Sequence, residues 1–169
     1  MKLISDFRFQ ISDFRGFTLI ELIVVFTVIA ILSTVGVASL SSYSQTQTLQ
    51  QAANDLITTL NTAKISTISQ IKPTECLSST LNGYSVSINI SESSYTLNVV
   101  CSGATIPLSK AKKLPSGISF NPLNGTPPTT TTNVYFPLLT GGVIGSGDIV
   151  LSGYQRTRTI TVNSTGGIQ

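Results

Sequence analysis

The stretch Arg15-Gly16-Phe17-Thr18-Leu19-Ile20-Glu21 stands directly before an apolar run that continues to Leu40. Glu21 is the only charged residue between Arg15 and Asp55. A run of about 20 apolar residues is long enough for a helix to cross the roughly 30 Å hydrocarbon core of a bilayer. A carboxylate beside that core costs on the order of 2.5–3.5 kcal/mol on insertion scales, so the sequence marks Glu21 as a functional residue that needs a cationic partner.

This stretch resembles the class III signal of type IV pilins and pseudopilins, in which a polar leader precedes Gly, an aromatic residue, Thr-Leu-Ile-Glu and a hydrophobic helix. The resemblance implies that a prepilin peptidase cuts between Gly16 and Phe17 and methylates the new amino terminus at Phe17. It also implies the partner of Glu21, which in this family is the terminal amine of a neighbouring subunit. That ion pair sets the register during assembly. The alternative is an ordinary signal anchor with an incidental Glu21.

The composition argues against catalysis and against an ionic ligand. The 169 residues carry a net charge of +3, and only 10% of them are charged. That charge is too small to indicate a nucleic-acid partner. The chain has no His, so it lacks the commonest general base and metal ligand. We therefore predict that the protein is not an enzyme and that it has no cofactor and no metal.

Two further features are candidate ligand sites. The glycine-rich stretch from Gly141 to Gly147 lacks the Lys-Ser/Thr pair of a phosphate loop, which favours a flexible connection. Asp148 follows it, but a single carboxylate is a poor site for calcium, which takes six to eight oxygen ligands. Neither feature indicates a ligand.

A helical pattern continues beyond the apolar run. Apolar residues recur at spacings of three and four, with polar residues on the other face; they are Leu49, Ala53, Leu56, Leu60 and Ala63, with Ile57, Ile68 and Ile71 alongside. Pro73 predicts the end of the pattern. We expect one long helix, whose first half (17–40) lies in the membrane or the filament core. Its amphipathic second half (41–72) packs on a carboxyl-terminal domain.

After Pro73 the apolar period changes to two, which indicates strands. Tyr84 to Ile90 and Tyr95 to Cys101 predict a hairpin with one buried face. Further strands are predicted at Gly117–Phe120, Val134–Phe136, Asp148–Ser152 and Thr157–Val162, with a low-complexity loop over Asn121–Asn133. The predicted fold is α+β, a long amino-terminal helix packed on an antiparallel β-sheet domain. The predicted divisions are a leader (1–16), the two helix halves and an extracytoplasmic β-rich domain (73–169).

The two cysteines, Cys76 and Cys101, both follow the apolar run. If this part lies outside the cytoplasm, an oxidising compartment favours a disulfide between them. Such a bridge would stabilise the fold by roughly 3 kcal/mol in the chain-entropy model. A buried pair of free thiols is the alternative.

The carboxyl-terminal sequence from Ile149 to Ile168 is similar to the close of the GspH/FimT branch, the H-type minor pseudopilins, which also carry a helix stretch like Ala52–Ala63. This resemblance implies a minor subunit of a type II secretion pseudopilus or a type IV pilus. Its partners would be other pilin or pseudopilin subunits, the prepilin peptidase, and the inner membrane with its assembly platform. Its location would be the inner membrane, with a single pass and the carboxyl-terminal domain outside, and then the filament. In that branch an arginine commonly follows the final glycine, whereas this chain has Gly167 there.

Two other functions remain open. Some members of the branch on the competence side bind DNA through basic residues near this end, and here only Arg156 and Arg158 could serve. The densest basic cluster, Lys110, Lys112 and Lys113, is better explained as a solvated loop, so a nucleic-acid partner is not expected. The other function is a membrane-anchored extracellular domain unrelated to filaments.

Overall fold

The computed structural model describes residues 16–121, 131–140 and 142–169, and describes the backbone alone for residues 34–39 and 131. It divides into two compact units, Met1–Ser42 and Tyr43–Gln169. One helix, α1 (Leu19–Ile68), contributes to both units. The other described helices and strands belong to the second unit.

The second unit contains a short 3₁₀ helix (Thr74–Cys76) and eight described strands: β1 (Leu81–Asn89), β2 (Ser94–Cys101), β3 (Ala104–Pro107), β4 (Lys112–Lys113), β5 (Ile118–Asn121), β6 (Thr131–Pro137), β7 (Gly147–Gly153) and β8 (Arg156–Val162). They form two antiparallel sheets. The larger sheet has the order β3-β2-β1-β6, with β4 also paired to β2, and the smaller has the order β5-β7-β8. The helix packs against the antiparallel sheets, so the predicted α+β class is confirmed.

The amphipathic stripe of α1 supplies the helical part of the core. All five stripe residues are buried, and Leu56, Leu60 and Ala63 are fully inaccessible. Because positions three and four apart lie on one helix face, the stripe meets the sheet as a continuous apolar surface. Ile68 and Ile71 do not join it, since they are 59% and 54% exposed. Their predicted place beside the stripe was wrong.

The end of α1 explains this difference. The helix closes with two hydrogen bonds of a Schellman motif, in which the Ile71 amide donates to the Ser66 carbonyl and the Gln70 amide donates to the Thr67 carbonyl, both at 3.1 Å. Gln70 takes the left-handed conformation, with φ of 51°. The helix therefore ends at Ile68, before Pro73 could stop it. Ile71 lies beyond the last turn and no longer follows the helical period.

The predicted hairpin is formed by β1 and β2. Val86 pairs with Leu97 and Ile88 pairs with Tyr95, so the alternating apolar residues of both strands share one face. Tyr84, Val86 and Ile88 are buried on this face in the same core cluster as the α1 stripe. The period-two pattern thus predicted both the hairpin and its buried face.

Other strand predictions hold with shifted bounds, and two short strands were missed. Lys112 and Lys113 are exposed as predicted, but they form β4 rather than a loop, because they pair with Tyr95 and Ser94 at the edge of β2. In the predicted loop 121–133, Asn121 ends β5 and residues 131–133 begin β6. Residues 122–130 lie outside the described residues.

Three polar contacts fasten α1 and its exit within the second unit. The Lys64 Nζ donates to the Gly166 carbonyl at 2.8 Å, and the Thr67 hydroxyl contacts the Phe136 carbonyl at 3.4 Å. Just beyond the helix, the Tyr84 hydroxyl donates to the Ile71 carbonyl at 2.6 Å. These contacts join the last turns of the helix to β1, β6 and the carboxyl-terminal tail.

The Tyr84 contact makes stability sensitive to alkaline pH. Burial raises the pKa of the Tyr84 phenol above its usual value, and the negative charge of Glu75 raises it further. Burial likewise raises the pKa of Tyr95; a hydrogen bond with Thr59 opposes this, and the charge of Asp55 adds to it. Because the folded state holds these protons more tightly, their contribution is complete below the unfolded pKa of about 10. This contribution to stability is lost as the pH rises from about 10 through the raised pKa values of the two phenols in the folded state.

We expect Tyr84→Phe to lower the free energy of unfolding at pH 7 by about 1 kcal/mol, the typical net value of one hydrogen bond. Above pH 10 the variant should lose stability less steeply than the wild type. The reason is that it lacks the Tyr84 phenol, whose proton the folded state holds more tightly than the unfolded state. Denaturant unfolding between pH 7 and pH 11 measures both effects. Tyr154→Phe is the matched control, since its hydroxyl makes a similar bond to the Ser116 carbonyl at an exposed site. Identical pH profiles for wild type and Tyr84→Phe would contradict the assignment.

Candidate functional site

The amino terminus of α1 is capped by Thr18. The backbone amide of Glu21 donates to the Thr18 hydroxyl at 3.3 Å, and the amide of Leu22 donates to the Thr18 carbonyl at 3.2 Å. Thr18 is therefore the N-cap and Glu21 is the third residue of the helix, which is the spacing of a capping box. The sequence pattern predicts a role for Glu21 but did not lead us to expect the cap at Thr18. The Thr-x-x-Glu spacing was the signal that could have revealed it.

Glu21 is exposed in the first turn of α1. A carboxylate at this position interacts favourably with the positive end of the helix dipole, which contributes about 0.3–1 kcal/mol. That is smaller than the roughly 2.5–3.5 kcal/mol cost of placing a carboxylate beside an apolar phase. The cap and the dipole therefore offset only part of this cost. When this end of the helix is buried, the Glu21 carboxylate needs a cation to offset the rest.

The two residues at the predicted cleavage point are accessible. Gly16 is exposed, and a Cβ added there would meet no atom within 4 Å. Phe17 is 76% exposed and directly precedes the cap residue. The rest of the predicted leader, residues 1–15, lies outside the described residues.

Between Glu21 and Ser33 the helix exposes large apolar side chains in every direction. We call residues 19–33 the apolar segment. Its large apolar side chains are between 48% and 77% exposed, and they are Leu19, Ile20, Leu22, Ile23, Val24, Val25, Phe26, Val28, Ile29, Ile31 and Leu32. Five of them are consecutive, so they point to all sides of the helix. A helix that is apolar all round is normally buried among other elements.

The polar side chains of the apolar segment are satisfied within the helix itself. The Thr27 hydroxyl donates to the Val24 carbonyl at 2.8 Å, and the Ser33 hydroxyl donates to the Ile29 carbonyl at 2.7 Å. These hydroxyls can therefore enter an apolar environment without losing a partner. Glu21 is the one residue of the segment that cannot enter an apolar environment without a partner.

Within the described part of the chain, no helix is both long enough and apolar enough to cross a membrane.

The structure joins Cys76 and Cys101 in a disulfide, with their Cα atoms 5.7 Å apart. Cys76 ends the 3₁₀ helix that follows α1, and Cys101 ends β2. Both are buried in the core. The bridge therefore ties the exit of the helix to the base of the hairpin, and a loop of this size contributes roughly 3 kcal/mol in the chain-entropy model.

The basic residues of the carboxyl-terminal region do not form an evident site. Arg156 and Arg158 are exposed at alternate positions of β8, so they share one side of that strand. The lysine cluster lies in and before β4, which belongs to the other sheet. The described elements thus provide two arginines on one strand rather than a broad basic face.

The glycine-rich connection and Asp148 serve the fold. The Val143 amide donates to the Ser164 carbonyl at 2.9 Å, and Ile144 bridges to Tyr135. Gly145 has φ of 87° and packs so closely on the Asn133 backbone that a side chain would not fit. These contacts fasten the connection to β6 and to the carboxyl-terminal tail. The Asp148 carboxylate accepts a hydrogen bond from the Thr161 hydroxyl at 2.7 Å. Among the described residues, no group of three or more His, Cys, Asp or Glu side chains could hold a metal ion.

Comparison with protein families gives one match. The model of the prokaryotic N-terminal methylation motif matches residues 11–37, which include the predicted cleavage point, Glu21 and the apolar segment. The motif supports a pilin or pseudopilin type of protein and points to a structural subunit. No curated protein and no solved structure matches the chain.

We expect Thr18→Ala to loosen the first turn of α1, because the Glu21 amide loses its acceptor. Replacing an N-cap Thr by Ala costs about 1 kcal/mol, which corresponds to roughly fivefold faster amide hydrogen exchange at Glu21. Exchange measured by NMR on the full-length chain in micelles tests this, with Thr18→Ser as the control that keeps the hydroxyl. Unchanged exchange at Glu21 in Thr18→Ala would contradict the cap.

Proposed function

We propose that the chain is a minor pilin-like subunit that is cut between Gly16 and Phe17, methylated at Phe17 and assembled into a filament. The filament is a type II secretion pseudopilus or a type IV pilus. The methylation motif supports processing by a prepilin peptidase. The observation that carries the assembly step is the apolar segment, whose side chains are exposed on all sides of the helix. A surface of this kind is stable when other helices surround it.

Glu21 gives the assembly its register in this proposal. Cleavage creates an ammonium group at Phe17, beside the positive end of the helix dipole, where a positive charge is unfavourable. The Glu21 carboxylate of a neighbouring subunit would neutralise that ammonium group. Because Glu21 is the only charged side chain between Phe17 and Asp55, this is the one ionic contact that the first half of the helix can make. An apolar bundle without it could slide along the helix axis.

We place the subunit in the inner membrane before assembly, with the second unit outside the cytoplasm. Arg15 provides the positive flank that favours a cytoplasmic amino terminus. The disulfide between Cys76 and Cys101 supports an oxidising compartment for the second unit. No helix among the described residues is long and apolar enough to cross a membrane, so the methylation motif and the apolar sequence carry this step. In the proposal the segment 17–40 serves first as the membrane anchor and then as part of the filament core.

Within this class we favour the GspH/FimT branch. The helix stretch Ala52–Ala63 contributes most of the buried stripe, and the similar carboxyl-terminal sequence forms β7 and β8. These features support the branch through sequence resemblance alone. We prefer a structural role over DNA binding, because the described basic residues are few and the pair Arg156 and Arg158 lies on a different sheet from Lys112 and Lys113.

We expect mature protein from the inner-membrane fraction to begin at Phe17 and to carry one added methyl group, which intact-mass spectrometry measures. Gly16→Val should block the cut, because a side chain would occupy the position of the residue before the scissile bond. Thr27→Ala is the control, since it alters the same unit away from the cut. Recovery of residues 1–16 on the wild-type mature protein would refute the processing step.

We expect Glu21→Gln to permit processing and to reduce incorporation into sheared filaments at least tenfold. That is the loss expected when a desolvated charge pair worth more than about 1.4 kcal/mol is removed. Asp55→Asn is the matched control, because Asp55 is an exposed carboxylate farther along the same helix. Quantitative blotting of filament and membrane fractions gives the ratio. Equal incorporation of Glu21→Gln and wild type would exclude the proposed ion pair, while leaving the processing step intact.

A further inference from the structure

The larger sheet carries a groove on the face opposite to the helix. In β1 the buried residues Tyr84, Val86 and Ile88 alternate with Ser85 and Ser87, which point to this second face. The groove has a volume of about 260 Å³ and is lined by Ser85, Ser87, Val100, Thr105, Asn133 and Tyr135. No residue of the proposed cleavage or assembly site takes part in it.

Ser85 lies at the centre of the groove. It pairs with Asn98 of β2 on one side and with Tyr135 of β6 on the other, and its side chain is only 5% exposed. No side-chain oxygen or nitrogen that is fully buried lacks a hydrogen-bond partner among the described residues, so the Ser85 hydroxyl is open to the groove that it lines. A ligand in the groove can therefore bond to this hydroxyl in place of water.

Tyr135 gives the groove a fixed aromatic wall. Its hydroxyl donates to the Asn82 carbonyl at 2.9 Å, which holds the far end of the ring. Its ring edge lies over Gly83, where an added Cβ would approach the Tyr135 Cε2 atom to 3.0 Å. The ring therefore packs against a glycine that leaves room for it. An aromatic ring held at both positions loses little entropy when a ligand stacks on it.

The remaining lining groups are polar and neutral. The Asn98 amide donates to the Ser87 hydroxyl oxygen at 2.7 Å, which leaves the Ser87 hydrogen free to donate. Thr105 and Asn133, both exposed, add a hydroxyl and an amide. Strands β1, β2, β3 and β6 contain no charged residue, so the groove offers nothing to neutralise an ion. The ligand must therefore combine donors and acceptors with an apolar face.

We propose that this groove binds a short neutral saccharide. A pyranose ring presents hydroxyl groups at its rim and C–H groups on its face, which match the hydroxyl and amide groups and the Tyr135 ring. The volume lies just below the roughly 300–1,000 Å³ of sites for drug-sized ligands. The groove thus accommodates one or two sugar rings. Ser85 and Asn133 contribute hydrogen bonds, and Tyr135 provides the stacking surface.

The test is an NMR titration of the full-length chain in a zwitterionic detergent without a sugar headgroup, because a maltoside would compete. The probes are cellobiose, maltose and N,N′-diacetylchitobiose, with a glucuronic-acid disaccharide as a charged comparison. We expect saturable shifts at Ser85, Asn133 and Tyr135 for at least one neutral probe, with a dissociation constant of about 1 mM. The charged disaccharide should bind more weakly.

Ser85→Ala and Asn133→Ala should each weaken binding about fivefold, the effect of one lost hydrogen bond. Asn133→Ala keeps the test valid if the buried Ser85 variant fails to fold, since Asn133 is exposed. Ser152→Ala is the control, because its hydroxyl contacts Ser119 on the smaller sheet. No saturable shift with any neutral probe up to about 50 mM would overturn the proposal. Saturation of the groove by a Ser/Thr-rich peptide, with no response to saccharides, would overturn it in favour of a peptide ligand.

Discussion

A helix surface that is apolar on every side must be covered, and the apolar segment of α1 places this constraint on the whole protein. Its eleven large side chains are roughly half exposed. Completing their burial would contribute on the order of 10 kcal/mol, at about 1.5–3 kcal/mol for each fully buried side chain. Association itself costs about 4–15 kcal/mol in lost freedom. The apolar surface is therefore sufficient to hold a subunit among several neighbours, but it does not fix the position along the helix axis. A single carboxylate at Glu21 can fix that position, because a mispaired charge would cost more than any one apolar contact contributes.

The second unit has a core of its own. The buried cluster begins at Leu49 and includes no described residue of the apolar segment. The disulfide, the Lys64 contact and the Tyr84 contact all join elements within this unit. Covering or uncovering the apolar segment thus removes none of the contacts that hold the sheets together. This separation suits a subunit whose helix is expected to pass from one apolar environment to another while its folded domain stays intact.

The sequence predicted those parts of the fold that depend on local periodicity. Alternation in β1 and β2 identified the hairpin, since side chains of a strand point alternately to its two faces. The spacing of Leu56, Leu60 and Ala63 identified the helix stripe. The helix end was missed because the left-handed position is held by Gln70, whereas glycine is the usual signal there. Strand β3 follows β2 through the turn Ser102-Gly103, in which both residues have positive φ, so a local hairpin signal was missed there. Strand β4 has only two residues and pairs with Ser94 and Tyr95 at the start of β2, so no apolar period could reveal it. Gly145 is required by its close approach to Asn133, and a sequence pattern does not show such a contact.

The sequence did not predict the groove either, although it did show the kinds of side chain that line it. Ser, Thr and Asn are abundant in the sequence, which by itself indicates only a polar, uncharged surface. Strand pairing brings Ser85, Asn98 and Tyr135 side by side, and that register turns a general composition into a defined set of groups. The groove and the apolar segment belong to different units and share no residue. A filament partner that covers the apolar segment therefore makes no demand on the groove side chains. The proposed assembly contact and the proposed binding site therefore use different side chains of the same subunit.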